Sequence, residues 1–447
     1  MEQLSRRTVL KGLAAAGAAA VLVPSPALAD PRRSVAGHPA APAAEWLRTA
    51  YSVVKAQSVP PPTAARAYAL HCLAGYEALL PGMPRHRSLT GQLADLPTLP
   101  RPRTGQPLDW PLVLMAASAT ACRGLFAQVS DAGRAAIDER EAADLATRRA
   151  AGVNARQEKV SREHGAAVAR AVLAWAATDG HAQALATPYT PPVGDALWEP
   201  TPPNFGTAIE PHCRLVRPMV LRTTDEVAPA EPIPFSSRSG SPFYAQAQVV
   251  VDQALANTDD TRDIARFWTD NPGFSGLPAG HWLWIAAQVG EQRGLGLDVT
   301  VEALARTAVA LNDAFLNCWT WKYRYDLLRP VTYIRRYFDG HAGWSTWVNT
   351  PQFPEYTSGH SVASRAAAVV LTDLLGPVSF TDTTLATTVG IARSSRSYTD
   401  FHAAAAMAAQ SRIYGGIHYP MGIEAGLAQG DQVGSLVVAR LSTRRVR

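Results

Sequence analysis

The chain has 447 residues, of which 47% are hydrophobic and 18% charged, and a formal net charge of +5. Such a length supports one or two domains with a sizeable core, and the balance excludes a disordered chain. No run approaches the roughly 20 apolar residues of a stable membrane span, and the charge is too mild to point to nucleic acid.

Residues 1–29 read as an export signal. Ser5-Arg6-Arg7-Thr8-Val9-Leu10-Lys11 is a twin-arginine pattern, and an Ala-rich apolar run follows from Leu13 to Val23. Ala27-Leu28-Ala29 then offers small residues for cleavage before Asp30. This implies folding in the cytoplasm and Tat export to a periplasmic or extracellular location. Cleavage would take away three positive charges and one negative, leaving +3.

Residues 30–61 are rich in Pro and Ala and are expected to wrap the surface. Helical patterns run over Pro62–Leu80, Arg134–Gly152 and Asn154–Thr178. In the last, Val160, Val168, Val172 and Trp175 fall near helical spacing and Asp179-Gly180 is the stop. The stretch 188–242 holds twelve prolines, which no long helix survives. It reads as an ordered crossover or as a boundary between two helical halves. Helices resume at Phe243–Ala256 and His281–Gln292. A long one is expected from Thr300, as N-cap with Glu302 in the first turn, to Leu328, ended by Pro330. Ala-rich helices at Ser361–Leu375 and Ala403–Ser411 complete the pattern. Strand-like alternation is scarce, so the class is all-α, a helical bundle or two packed bundles. The expected organisation is a signal at 1–29, an N-terminal helical region with the Pro-rich crossover at 30–240, and a C-terminal helical region at 241–447.

Cys72, Cys122, Cys213 and Cys318 are widely spaced, with no Cys-x-x-Cys pair. A zinc or redox site is therefore weakly supported. Export permits disulfides, but buried small apolar residues are at least as good a reading.

Three segments carry the chemistry. In Lys322-Tyr-Arg-Tyr-Asp-Leu-Leu-Arg329-Pro330, the two cations are seven residues apart, two helical turns, so both are expected to leave the same face. Two cations on one face repel unless an anion lies between them, and an Arg fork suits an oxyanion. A solvated basic face is the plain alternative. Phe353-Pro-Glu-Tyr-Thr-Ser358-Gly359-His360 leads into a helix. It offers a hydroxyl, an unhindered backbone N–H and a positive helix end, with His360 poised as a proton carrier. Ordinary capping by Ser358 is its alternative. Ser411-Arg412-Ile-Tyr-Gly415-Gly416-Ile-His418-Tyr-Pro420 adds a third cation. Its His418 could be a nucleophile or a metal ligand if a partner holds its other ring nitrogen. A core histidine beside a turn is the alternative. The remaining histidines, among them His164, His212, His281 and His402, have no comparable setting and read as structural.

Lys-x6-Arg-Pro, then Ser-Gly-His, then Ser-Arg-x5-His over residues 322–418 resembles the signature of vanadium-dependent haloperoxidases and of the related type 2 phosphatidic acid phosphatases. The Trp198–Pro203 and Ser411–Pro420 runs resemble the bacterial haloperoxidase-type members in particular. The resemblance implies that Lys322, Arg329, Ser358, Gly359 and Arg412 bind the oxyanion. It implies that His418 bonds to vanadium, or attacks phosphorus, with His360 as the acid–base residue. Trp319 and Phe353 match positions lining the halide pocket, core packing being their alternative. The implied cofactor is vanadate, and the implied partners are hydrogen peroxide, a halide and a small organic acceptor. Two other functions stay open: an acid phosphatase acting through a phosphohistidine, and a non-catalytic oxyanion-binding protein. One position departs from the pattern. Gly422 stands where an Asp four residues after the ligand His would orient its ring, so weaker activation of His418 is expected unless Glu424 or a backbone carbonyl substitutes.

Overall fold

The computed structural model describes residues 34–126, 128–388 and 391–445. The signal sequence expected at 1–29 lies outside these residues.

The first surprise is at the N-terminus. Residues expected to wrap the surface form α1 (Ala41–Gln57). Trp46, Leu47, Ala50, Val53 and Val54 recur at helical spacing and are buried. Pro61 then opens α2 (Pro61–Leu79), its missing N–H costing nothing at a helix start. Asp109 caps α3 (Trp110–Gly124) by accepting the Leu112 N–H. Ser130 caps α4 (Asp131–Ala150) and Asn154 caps α5 (Ala155–Ala176) in the same way. A short α6 (His181–Ala186) follows Gly180.

The proline-rich stretch is irregular apart from one 3₁₀ turn at Cys213–Leu215. It is nonetheless fastened to the centre of the molecule. The buried Asp313 carboxylate accepts the backbone N–H groups of Met219, Val220 and Leu221 at 2.7–2.8 Å. Asn317 Nδ2 donates to the Thr224 and Val227 carbonyls. These buried polar groups satisfy a backbone that has no ladder of its own.

The second half comprises α7 (Pro242–Ala256), α8 (Asp259–Phe267), α9 (Leu277–Gln292), α10 (Leu297–Tyr325), α11 (Pro330–Tyr337) and α12 (Gly359–Leu375). A two-stranded antiparallel ribbon, β1 (Phe380–Asp382) with β2 (Arg396–Tyr398), precedes α13 (Phe401–Tyr414) and α14 (Pro420–Arg440). The fold is all-helical, as expected from the sequence.

Helix α10 is the axis. It is buried on every face from Thr300 to Trp319 and packs against α2, α9, α12 and α14. Its start is three residues earlier than expected. Gly296 holds the N-cap position, and Thr300 instead bonds back to the Gly296 carbonyl. Its end is earlier too: Asp326 turns left-handed at φ 49°. One hydrophobic core runs from α1–α3 through α10 to α12–α14, on both sides of position 240. Helix α14 carries Gly422, Gly426, Gly430 and Gly434 four residues apart, the first against Glu355 and the other three facing α12. A Cβ at Gly426 would lie 2.9 Å from the Ser358 carbonyl, and one at Gly434 3.0 Å from that of Ala366. Glycine's weak helix propensity hides this helix in the sequence, yet it is what lets α14 approach the start of α12. The four cysteines are buried and free, among the described residues.

Candidate active site

The second and third segments meet at a cavity of about 300 Å³, whose wall includes Phe353, Gly359, His360, Arg412 and His418 together with Trp319 of α10, while Lys322 and Arg329 of the first grip the loop that carries Phe353. Lys322 and Arg329 do not share a helix face, as their spacing suggested. Between them α10 ends at Asp326, and Arg329 becomes the N-cap residue of α11, with Pro330 at its first position. The chain reversal, rather than helical periodicity, brings both cations to the loop before α12.

That loop, residues 353–358, is clamped from all sides. Lys322 Nζ donates to the carbonyls of Pro354 and Glu355 at 2.9 Å and to that of Thr357. All three of its protons are therefore committed to backbone. Arg329 Nε donates to the Phe353 carbonyl at 2.8 Å, and the Glu355 N–H to the Leu327 carbonyl at 2.9 Å. The Ser358 N–H donates to the Gly422 carbonyl at 2.8 Å, fixing the start of α12 to the start of α14. Ser358 caps α12, its hydroxyl accepting the Ser361 N–H. A Cβ on Gly359 would crowd the Trp319 ring at 3.2 Å, and glycine leaves the backbone bare at the helix's positive end.

The cationic groups are dry. Lys322, Arg329 and Arg412 are at most 1% exposed. Burial pushes the Lys322 ammonium down to about 7 and both guanidinium groups down to about 10. Arg412 is held by Ser411 Oγ at 2.9 Å and by the Ala265 carbonyl at 3.1 Å. Arg329 Nη2 and His360 Nε2 are buried with no hydrogen-bond partner among the described residues. An unpaired buried guanidinium N–H is costly, and an anion at this site would satisfy it, while the free His360 nitrogen faces the same space.

His418 sits after a turn in which Gly416 takes φ 77°, against the Trp344 ring. Its Nδ1 donates to Glu355 Oε1 at 2.7 Å, and the Tyr419 N–H donates to the same oxygen at 3.0 Å. Arg329 Nη1 approaches the other ring nitrogen, Nε2, at 3.3 Å. Gly422 therefore does not leave the ring without a carboxylate. Glu355 supplies one from the opposite side, whereas Glu424 is exposed. Burial, then the charges of Arg329 and Lys322, hold His418 well below the usual imidazole range. Burial raises the Glu355 carboxyl to about 7, against the pull of the same two cations.

His360 faces a second acidic group that the sequence did not reveal. Its Nε2 lies 4.0 Å from Asp270 Oδ2, and its ring is also hydrogen-bonded to the Trp268 backbone. Burial and the charge of Arg412 hold it well below the usual imidazole range. Asp270 also meets His281 Nδ1 at 3.0 Å, and His281 Nε2 meets Asp382 at 2.7 Å. His281, read as structural, is thus linked through Asp270 to the cavity wall. Positions 270, 281 and 382 share no sequence motif, so nothing in the chain announced them. His164 and His212 do bond only to backbone carbonyls, at 3.0 Å.

Trp319 and Phe353 are both core residues and cavity wall, their rings 4.6 Å apart. The Trp319 indole N–H is committed to the Ile209 carbonyl at 3.1 Å, so the indole presents carbon rather than a donor to the cavity.

An all-helical fold here gathers three buried cations, a helix N-terminus and two histidines around an unpaired guanidinium N–H, an arrangement suited to an oxyanion. Comparison with known proteins narrows this. A family model described as the VCPO second helical-bundle domain matches residues 302–445. A solved structure of a bacterial vanadium-dependent iodoperoxidase is 32% identical with a TM-score of 0.83, covering 92% of this chain and 98% of that one. Holo and apo structures of a bacterial vanadium-dependent chloroperoxidase share the fold. They are 17% and 16% identical with TM-scores of 0.67 and 0.63, cover 86% of this chain, and are covered to 92% and 94% of their own length. No protein of curated function matches. The chain belongs to the vanadium-dependent haloperoxidase family. A model of the twin-arginine signal matches residues 3–23, which indicates export to the periplasm or beyond. No helix among the described residues is long and apolar enough to cross a membrane.

Proposed function

We propose that this protein is a vanadium-dependent haloperoxidase that uses hydrogen peroxide to oxidise halide to hypohalous acid, which then halogenates a small organic acceptor. The observation that carries the reading is His418: one ring nitrogen is held by Glu355 and the other stands beside Arg329 at the cavity, next to the unpaired Arg329 Nη2 and the free His360 Nε2. Vanadate fits this donor set, an oxyanion ligated by a single imidazole and otherwise held by hydrogen bonds.

His418 would hold the vanadium through Nε2. Arg329, Arg412 and the backbone at Ser358–Gly359 would bind the oxyanion's oxygens, with the unpaired Arg329 Nη2 as the first donor. Lys322 would act mainly through its charge beneath Gly359, since its protons hold the loop in shape. Bound vanadate supplies a Lewis-acidic centre that activates peroxide for transfer of oxygen to halide. His360, neutral at pH 7 and with Nε2 free, would take up the peroxide proton, and Asp270 would stabilise the imidazolium so formed. The cations are fixed before the reaction begins, so no reorganisation is needed as charge develops. The wall of Trp319 and Phe353 is apolar and polarisable, without an indole donor. It suits a large, weakly hydrated halide, so iodide is expected to be turned over ahead of bromide, and chloride last.

The same cradle would accept phosphate, with His418 as nucleophile and His360 as proton donor. One purified sample separates the readings, assayed without and with added vanadate for peroxide-dependent halogenation of a phenol dye and for phosphomonoester hydrolysis. Vanadate-dependent halogenation is the expected result. Hydrolysis that vanadate abolishes, with no halogenation, would assign the protein to the phosphatases. Silence in both assays would leave an anion-binding protein.

A further inference from the structure

Glu355 and Gly422 are reciprocal. A Cβ built on Gly422 would lie 2.8 Å from Glu355 Oε2 and 2.9 Å from its Cδ, and would overlap Oε1. Both residues are buried, Glu355 completely. The start of α14 therefore has room for a side chain at 422 only if the loop before α12 carries no long side chain at 355. We infer that Glu355 is the positioning residue for His418, fixing which ring nitrogen carries the proton, and that the absence of a side chain at Gly422 is the steric condition for it.

Glu355 Oε1 already accepts the Tyr419 N–H, a group that can only donate. With the carboxylate ionised, Oε1 accepts from His418 Nδ1 as well, at 2.7 Å, and that nitrogen bears the proton. On the far side Arg329 Nη1, which can only donate, points at Nε2 from 3.3 Å. The two contacts agree on one tautomer, with the proton on Nδ1 and the Nε2 lone pair facing Arg329. A ligand to vanadium and a nucleophile towards phosphorus both need that lone pair. Lys322 strengthens the arrangement by gripping the Glu355 carbonyl at 2.9 Å, so the backbone that carries the orienting side chain cannot drift.

This inference rests on the proposed role of His418, but its test needs neither peroxide nor halide. The proteins are wild type, Glu355→Gln, Glu355→Ala, Gly422→Asp and the double variant Glu355→Ala/Gly422→Asp. Calorimetry measures binding of inorganic phosphate and of orthovanadate. Nitrogen-15 NMR of histidine-labelled protein, with His418→Ala for assignment, reads the tautomer. Wild type is expected to show the proton on Nδ1, and Glu355→Gln, whose amide oxygen still accepts, should keep it. Glu355→Ala should lose that preference and bind both anions about 10–100-fold more weakly. Gly422→Asp alone should also weaken binding, because its Cβ displaces the Glu355 carboxylate. The double variant should recover most of the affinity, since the Asp enters the volume that Glu355 vacates. If Glu355→Ala is poorly folded, Gly422→Asp against the double variant makes the same comparison. The inference is overturned if Glu355→Ala keeps both the tautomer and the affinity of wild type, or if the double variant binds no better than Gly422→Asp. Failure of halogenation in wild type would count against the peroxidase reading and leave this result standing.

Discussion

His281 Nε2 lies 2.7 Å from Asp382 Oδ2, with both side chains fully buried. Asp270 holds the opposite ring nitrogen at 3.0 Å. Burial alone would drive the imidazole to neutrality, but the two carboxylates reverse this and raise it to about 10. The folded state therefore keeps a proton that the unfolded chain releases near 6.5. This contribution to stability is complete below about 6.5 and is lost as pH rises towards 10, at about 1.4 kcal/mol per pH unit for one proton. Urea unfolding of wild type and of His281→Gln between pH 6 and 10 measures it. The variant is expected to lack that slope, and equal slopes would show that His281 is not the charged group.

His360 is expected to separate binding from turnover. His360→Ala should still bind orthovanadate while losing about 10²–10⁴ in kcat. Because His360 is held well below the usual imidazole range, its own contribution to wild-type turnover should be lost on the acid side, as the ring takes up a proton. Normal turnover in His360→Ala would remove it from the acid–base role.

His418 should behave differently. His418→Ala removes the single imidazole beside Arg329 and is expected to abolish orthovanadate binding, or phosphoenzyme formation if the chain is a phosphatase. Equilibrium dialysis against orthovanadate reads this directly, and retention of the anion would place the ligand elsewhere.

Asp313 tests the crossover. Asp313→Ala would strand three buried backbone N–H groups, each costing about 1–3 kcal/mol, so a total loss of at least about 3 kcal/mol is expected. Denaturant midpoints measure it, and the accompanying loss of activity should recover wherever the variant is fully folded.

Most of the architecture was already legible. The helices at 61–79, 131–150, 155–176 and 242–256 follow from apolar periodicity and caps that lie within a few residues of one another. Helix α1 was equally periodic, but its Pro and Ala content masked it. Helix α14 was hidden by glycines whose cost in a free helix is offset by the approach to α12.

The sequence by itself determined the export signal, the helical class and the candidates Arg412, His360 and His418 that line the cavity, because each is written in residues close along the chain. Only the tertiary structure decided how they act together. The left-handed turn at Asp326, not helical spacing, joins Lys322 to Arg329. Folding places Glu355 on His418 from 63 residues away and Asp382 on His281 from 101. Such partners are chosen by shape and by the need to satisfy buried polar groups, and neither leaves a local trace in the order of the residues.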